Sequence, residues 1–273
     1  MTETPVTADR APVDPVTERL RSILDPARCR AVTENPTGYL ELAGTDIPSA
    51  QGLGQQLMRT RFYATVYQLG RPLGMRIASA LEAPGRDADR ARIAARLNLA
   101  PGRTVLDIAC GPGNFTGYYG SVVGAGGLAV GLDASTSMLT RAVADNSAPS
   151  VRYLYGAAER LPFQDEGADA VSCLAALYLI NDPFGAIGEM ARVLRPGGRI
   201  VLLTSLAPGG RRDRPHVRLL ETLSTMRMFD RDEITGCLRG HGFTDIDQVT
   251  AGLAQTVWAT KTSNPPTRLD DNR

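Results

Sequence analysis

The feature that most constrains this chain is a regular alternation of strand-like and helix-like segments between residues 104 and 204. Short apolar runs predict five strands, at 104–109, 127–133, 151–155, 168–174 and 199–204. Helical spacing of apolar residues falls between most of them, at 113–123, 135–145 and 183–194. This order indicates βαβ units, and therefore a three-layer α/β sandwich whose mostly parallel sheet is covered on both faces.

The regions around this alternation suggest how the chain is divided. Residues 87–99 predict an amphipathic helix before the first strand, and 50–82 predict two helices broken by glycines and Pro72. After a helix at about 230–240, two closing strands at 244–250 and 254–260 predict an antiparallel hairpin at the sheet edge. The polar ends predict disorder. We therefore expect a disordered tail, an N-terminal helical cap, a main domain and a second disordered tail, over residues 1–15, 16–85, 86–260 and 261–273.

Composition excludes several classes of function. The net charge of +1 provides no bulk attraction for nucleic acid or an acidic membrane. The four cysteines are scattered without a CxxC pair, which disfavours a zinc site and suits a reducing compartment. The first fifteen residues lack the order of a signal peptide, and no apolar run approaches the ~20 residues of a membrane span. We expect a cytoplasmic protein with no metal, no nucleic-acid partner and no integral membrane association.

The stretch "VLDIACGPGNFTG" at 105–117 places Asp107 inside the first strand and two glycines, Gly111 and Gly113, in the turn that follows. In open α/β sheets, ligands bind beyond the carboxyl ends of the strands. Glycines there would let the backbone approach a ligand, with free N–H groups at the start of the next helix. Asp133 ends the second strand, where a carboxylate can accept two hydrogen bonds from a ribose diol. The pattern predicts a nucleoside-binding site.

The turn favours one kind of nucleoside. Thr116 occupies the third glycine position of the dinucleotide fingerprint G-x-G-x-x-G. The Asp107 carboxylate would repel a pyrophosphate but suits a cation. S-adenosylmethionine (SAM) has a ribose diol, an ammonium group, a sulfonium and no phosphate. We expect Asp107 to face the amino-acid end of SAM, directly or through water. The alternatives are structural: Asp107 as an acceptor of N–H groups at the strand end, and Asp133 as a helix cap.

Four stretches carry a family resemblance: "VLDIACGPGNFT", "VGLDASTSML", "GAAERLPFQDEGADAV" and "EMARVLRPGGRIVLLT". With them, over about residues 50–260, the sequence resembles the class I SAM-dependent methyltransferases, especially the small-molecule branch with the ubiquinone/menaquinone C-methyltransferases. The resemblance implies the Rossmann-like methyltransferase fold with seven strands, an N-terminal cap and SAM, whose product is S-adenosylhomocysteine (SAH), across the first four strand ends. The cofactor-binding residues that we expect are Tyr63, Asp107, Gly111, Gly113, Asn114, Asp133, Ala134, Met138, Ala158, Glu159 and Leu174.

Two departures from the family pattern limit what it implies. Ala157 stands where the family often has an acid that meets the adenine amino group, so Ala158 or Glu159 would have to substitute. Tyr178 and Leu179 replace two histidines, so a mechanism that uses histidine there does not transfer.

The catalytic residue is not fixed by the sequence. The candidates are Tyr63, Tyr178 and His216. For Tyr63 the alternative is helix packing, and for the basic stretch 209–218 around His216 it is a solvated loop.

The resulting hypothesis is a SAM-dependent methyltransferase that acts on a small, apolar and roughly planar acceptor, such as an aromatic or quinone-like compound. The alternative is a SAM- or SAH-binding protein of the same fold that transfers no methyl group and serves another reaction or a partner subunit. Thr116 and Asp107 disfavour a nicotinamide-dependent oxidoreductase. The stretch "CLAALYLINDP" lacks an Asn/Asp-Pro-Pro-Tyr motif, which disfavours nucleic-acid methylation. The oligomeric state is left open.

Overall fold

The computed structural model describes residues 14–29, 31–43, 86–207 and 227–263. Its helices are α1 (Pro15–Ile23), α2 (Arg86–Arg96), α3 (Asn114–Val123), α4 (Thr136–Asn146), α5 (Pro183–Val193) and α6 (Arg231–Gly240). A short 3₁₀ turn covers Leu177–Leu179. Within the described residues, every helix is too short or too polar to cross a membrane.

The strands form one mixed sheet. They are β1 (Ala31–Glu34), β2 (Leu40–Ala43), β3 (Thr104–Ile108), β4 (Leu128–Asp133), β5 (Val151–Tyr155), β6 (Ala168–Leu174), β7 (Leu194–Ser205), β8 (Phe243–Ala251) and β9 (Ala254–Lys261). Their order is β1-β2-β5-β4-β3-β6-β7-β9-β8. The six strands from β2 to β7 run parallel to one another. At the two edges, β1 pairs antiparallel with β2, and β9 pairs antiparallel with both β7 and β8. The α/β sandwich and the closing hairpin predicted from the sequence are confirmed.

The predicted number of strands was wrong: the described residues contain nine strands, not seven. The two additional strands, β1 and β2, come from a segment that was assigned to a helical cap. Each has four residues, and β2 pairs with β5 at only two positions. Only Leu42 is buried among the eight residues of β1 and β2, so the alternation that normally indicates a strand is nearly absent. The two helices predicted at 50–82 lie outside the described residues.

Helices cover both faces of the sheet, as the alternating pattern predicts. On one face α2, α3 and α4 bury Ile93, Tyr119 and Leu139. On the other face α1, α5 and α6 contribute to a second cluster, which includes Leu20 and Met190. This second cluster brings α1 into the core of the main domain, although α1 belongs to the segment that the sequence assigned to a cap.

Helix α1 is also fixed by one arginine. The Arg19 guanidinium donates to the carbonyl of Gly102 at 2.6 Å and to Oγ1 of Thr104 at 3.1 Å. It also donates to the carbonyl of Gly126. These three acceptors surround the start of β3, so α1 is attached to the end of the sheet opposite the glycine turn.

The "RPGG" stretch at 195–198 precedes the strand predicted at 199–204, but in the structure it lies within β7. The register of β7 against β6 shifts between Leu194 and Arg199, and Gly197 has a φ of +74°. The stretch is therefore a bulge that inserts extra residues into one continuous strand.

The carboxyl ends of β3, β4, β5 and β6 lie side by side at one edge of the sheet, which we call the carboxyl edge. Two alanines directly after strands have left-handed backbone there: Ala109 after β3 has φ +55° and Ala175 after β6 has φ +56°. Side chains with a Cβ rarely adopt this conformation, and such strain concentrates at functional sites. The strained positions thus coincide with the edge at which the sequence predicts a ligand.

Candidate functional site

The turn between β3 and α3 is built on two left-handed glycines with different surroundings. Gly111 has φ +55°, and a Cβ built on it would meet nothing within 4 Å. Gly113 has φ +75° and is the N-cap of α3. A Cβ there would lie 2.8 Å from Cζ of Tyr153, so the ring of Tyr153 already fills this space. The structure thus leaves room for a ligand beside Gly111. At Gly113, where we also expected a ligand, the lack of a side chain instead allows the ring of Tyr153 to pack against the backbone.

Asp133 links the ends of β3 and β4. Its Oδ2 accepts a hydrogen bond from the Gly111 N–H at 2.8 Å, and its Oδ1 accepts one from the Ser135 N–H at 2.8 Å. Ser135 caps α4, because its hydroxyl accepts from the Met138 N–H at 3.4 Å. The N-cap of α4 is therefore Ser135 and not Asp133. An ionised carboxylate has about four acceptor positions, which is the chemistry that the hydroxyls of a ribose diol require.

Asp107 is buried, with 3% of its surface exposed. Its Oδ2 accepts from the Thr116 hydroxyl at 2.6 Å and its Oδ1 accepts from the Ser172 hydroxyl at 2.8 Å. Burial raises the pKa of this carboxyl to about 6; the two hydroxyls act against the rise and the negative charge of Asp133 adds to it. Each oxygen of Asp107 is therefore held by a side chain from a neighbouring element, α3 or β6.

Thr116 has a role that the sequence reasoning missed. It was interpreted only as a departure from the dinucleotide fingerprint, yet it is fully buried and its hydroxyl is a partner of Asp107. Ser172 was missed as well, although it lies opposite Asp107 in the register of β3 and β6. A polar residue in each of two adjacent buried strands is the signal that could have paired them.

The remaining cofactor candidates lie on the same edge. Asn114 is the exposed first residue of α3, and Ala134 and Met138 lie in the loop after β4 and the first turn of α4. Ala158 is buried and Glu159 half-buried in the loop after β5, and Leu174 ends β6 half-buried. The carboxyl edge thus brings together ten of the eleven predicted residues: Asp107, Gly111, Gly113, Asn114, Asp133, Ala134, Met138, Ala158, Glu159 and Leu174. Tyr63 lies outside the described residues.

The thiol of Cys110 lies in the same turn. Burial and the nearby charges of Asp133 and Asp107 raise its pKa well above the ordinary value. The thiolate is the nucleophilic form of cysteine, and this environment disfavours it. The environment of Cys110 therefore favours a role in packing over one as a nucleophile.

Tyr178, one of the catalytic candidates, is half-buried in the 3₁₀ turn after β6. Its carbonyl accepts a hydrogen bond from the Arg227 N–H at 3.1 Å. The Arg227 guanidinium lies 4.7 Å from the ring centroid of Phe184 and 5.1 Å from that of Phe229. The sequence indicates Phe229 as an acceptor-pocket residue, but Arg227 and Phe184 were missed, because they come from separate segments. His216, the other candidate, lies outside the described residues.

The chemistry of this edge is acidic. The four stretches 105–117, 128–138, 153–159 and 172–179 contain no lysine or arginine. Within these four described stretches, a pyrophosphate would meet carboxylates and no lysine or arginine, whereas a diol or a cationic group would find acceptors. The arrangement can hold a nucleoside that carries positive charge.

Comparison with known proteins agrees with this chemistry. The family model of a methyltransferase domain matches residues 106–202. The chain is 38% identical over 113 residues to a ubiquinone/menaquinone biosynthesis C-methyltransferase, UbiE, of Ectopseudomonas mendocina. The aligned region covers 40% of this chain and 44% of that protein. It is 34% identical over 116 residues to a demethylmenaquinone methyltransferase of Halalkalibacterium halodurans, which covers 41% and 47% of the two chains. The match therefore spans less than half of either relative.

Solved structures share the fold at low sequence identity. A phosphoethanolamine N-methyltransferase 2 of Haemonchus contortus, in complex with SAM, has a TM-score of 0.63 at 16% identity and covers 79% of this chain and 60% of that chain. The [4+2]-cyclase SpnF has a TM-score of 0.57 at 20% identity and covers 80% and 99%. The fold is thus shared by proteins with different reactions.

Proposed function

We propose that this chain, whose residues 106–202 match the family model of a methyltransferase domain, transfers a methyl group from SAM to a small-molecule acceptor. The observation that carries the proposal is the acidic carboxyl edge, where Asp133 holds the Gly111 N–H beside open space. A ribose diol and a cationic amino acid fit this edge, whereas a dinucleotide does not.

The fit to SAM can be derived residue by residue. Gly111 leaves the space that a Cβ would fill, so a ligand can approach the backbone of the turn. Asp133 has acceptor capacity for ribose hydroxyls. Asp107 is buried and held by two hydroxyls, so we assign it an indirect part: its negative charge favours a cation at the edge, and its hydrogen bonds hold α3 and β6 in place.

When bound, SAM supplies a methyl group that its sulfonium has already activated. The chain then has to position the acceptor and exclude water, which are effects worth several kcal/mol when the geometry is right. Tyr178 lies after β6 and Phe184 follows in α5, so this end of the edge offers aromatic surface to an acceptor. We place the acceptor there, with Tyr63 and His216 as further candidates from the sequence.

The acceptor class is inferred from this surface and from the relatives. Apolar walls with a few polar groups are normal for small ligands. The names of the two curated relatives refer to quinone biosynthesis, so an aromatic or quinone-like acceptor is the class to test first. A cytoplasmic location and the absence of a nucleic-acid partner remain predictions from composition.

A second candidate is supported by a specific likeness. SpnF is named as a [4+2]-cyclase, and this chain covers 99% of it at a TM-score of 0.57. A SAM-binding protein that catalyses another reaction, or that transfers no methyl group, would keep the same edge. The sequence-derived alternative therefore stays open beside the methyltransferase.

The test separates cofactor binding from methyl transfer. Isothermal titration calorimetry with SAM, SAH and NAD should show binding of the first two and none of NAD. Incubation with methyl-labelled SAM and a panel of phenols, quinols and amines should then yield a labelled product. NAD binding without a SAM signal would refute the site, whereas SAM binding with no product across the panel would favour the second candidate.

A further inference from the structure

The glycine turn is supported from beneath by residues at the end of α4 and in β5. Tyr153 of β5 is 2% exposed, and its hydroxyl donates to the carbonyl of Asn146, the last residue of α4, at 2.9 Å. The Asn146 Nδ2 in turn donates to the carbonyl of Pro112 at 2.8 Å. Pro112 is the residue between Gly111 and Gly113. The ring of Tyr153 occupies the space next to Gly113. Two side chains thus reach a turn that lies about 30 residues away in sequence.

We propose that Asn146 and Tyr153 are positioning residues for the cofactor turn. By holding the Pro112 carbonyl and the underside of Gly113, they fix the backbone path of the turn beside which the ligand would lie. The inference rests on the proposed function for its ligand, but it concerns residues outside the predicted cofactor set. Neither side chain needs to touch SAM.

The contacts at the turn explain why a second anchor is needed. On one side, Asp133 accepts from the Gly111 N–H. The peptide group between Pro112 and Gly113 has a bond within the turn, from the Gly113 N–H to the Cys110 carbonyl at 3.1 Å, but this bond ties the turn only to itself. Asn146 ties the carbonyl of the same peptide group to the end of α4. With these bonds in place, the peptide group before Gly111 and the one after Pro112 are both anchored to neighbouring elements before a ligand arrives.

Asn146→Ala and Tyr153→Phe each remove one of these links, and Ser150→Ala is the matched control. The buried Ser150 hydroxyl, just before β5, donates to the carbonyl of Gly120 in α3 at 2.8 Å. Ser150→Ala therefore also removes one buried hydrogen bond between two elements. The hydrogen bond of the Ser150 hydroxyl runs to Gly120 in α3 and not to the residues of the turn at 109–113. The variants are compared by thermal midpoint, by SAH affinity in calorimetry and by amide hydrogen exchange of the segment 109–116.

Asn146→Ala should weaken SAH binding about fivefold, the factor that corresponds to one net hydrogen bond, and Tyr153→Phe should weaken it in the same direction. Both should speed exchange in segment 109–116. Ser150→Ala should lower the thermal midpoint comparably while SAH affinity and exchange in the turn stay at the wild-type values. That pattern would support positioning over a purely structural role.

Two results would overturn the inference. One is that Asn146→Ala leaves both the SAH affinity and the exchange rate of segment 109–116 unchanged. The other is that Ser150→Ala weakens SAH binding and speeds this exchange as much as Asn146→Ala does. If wild-type protein bound no SAH, the proposed function would fail. The exchange comparison between Asn146→Ala and Ser150→Ala would still decide whether Asn146 holds the turn.

Discussion

Replacing Asp107 by asparagine should change how the stability of the protein depends on pH. Burial raises the pKa of Asp107 to about 6, against 3.8 for the free group. Between these two values, the folded protein keeps a proton that the unfolded chain has released. The free energy of unfolding therefore falls as the pH rises from about 4 to about 6, and this contribution is constant above that window. Asparagine has the same shape and no ionisation, so the variant lacks this slope.

The size of the effect follows from the same two pKa values. One pH unit of difference corresponds to 1.36 kcal/mol, so ionised Asp107 costs about 3 kcal/mol of folding free energy at pH 7. Natural domains are stable by about 5–15 kcal/mol, which makes this a large fraction. In the variant, the amide oxygen can accept from the Thr116 hydroxyl and the amide NH2 can donate to Ser172 Oγ, so the bond to Ser172 reverses its direction.

Urea unfolding at pH 4, 5, 6 and 7 measures the prediction. The unfolding free energy of Asp107→Asn minus that of wild type should increase by about 2 kcal/mol from pH 4 to pH 7, because part of the effect is already present at pH 4. Taking the difference removes groups such as Glu189, whose lowered pKa acts in the opposite direction in both proteins. Asp133→Asn is a control: without its negative charge the pKa of Asp107 should be lower, and the window narrower. A difference that is the same at all four pH values would refute the reasoning.

Three further predictions follow from the site and the core. Asp133→Asn should weaken SAM binding more than tenfold in calorimetry with the fold retained, because a charged acceptor for ribose is lost; an unchanged affinity would place the ligand elsewhere. Gly111→Ala should abolish SAM binding and lower stability by only about 1 kcal/mol, whereas Gly113→Ala should lower stability by about 2 kcal/mol or more, because its Cβ meets Tyr153. Urea unfolding and calorimetry on both variants test this contrast, and equal effects would contradict it. Leu20→Ala should lower the unfolding free energy by about 2–4 kcal/mol, since Leu20 is 1% exposed in the core; a loss below 1 kcal/mol would show that α1 is peripheral.

The sequence predicts the main domain well because its strands are long, apolar and separated by helices with clear periodicity. Helix α5 illustrates this: Asp182 accepts from the Gly185 N–H at 2.9 Å, and Pro183 is the first helical residue. Each signal is local and can be found in a window of a few residues. By contrast, β1 and β2 form only because a sheet edge beside β5 is available, and no local pattern encodes that edge.

The candidate site could be located from the sequence, but its internal contacts could not. Asp107, Gly111 and Asp133 were found because each stands at a strand end or in a glycine turn. The partner Ser172 is 65 residues from Asp107, and the two meet only because β6 lies next to β3 in the sheet order. Pairings of this kind depend on topology. For the same reason, the asparagine at the end of α4 that holds the turn gave no sequence signal.

The negative charge of Asp107 calls for a functional explanation, because its hydrogen bonds to Thr116 and Ser172 do not require a charge. Asparagine could meet both hydroxyls without the cost of a buried ion, so the negative charge itself must contribute something that the fold does not need. A cation bound at the carboxyl edge would stabilise ionised Asp107, and by linkage the affinity for that cation should rise as Asp107 ionises. SAM carries the sulfonium charge that SAH lacks. The affinity for SAM should therefore increase more than that for SAH between pH 5 and pH 7, as measured by calorimetry on the full chain. In Asp107→Asn the two ligands should show the same pH dependence. If the SAM affinities of wild type and Asp107→Asn changed in parallel between pH 5 and pH 7, the charge of Asp107 would have no part in cofactor binding.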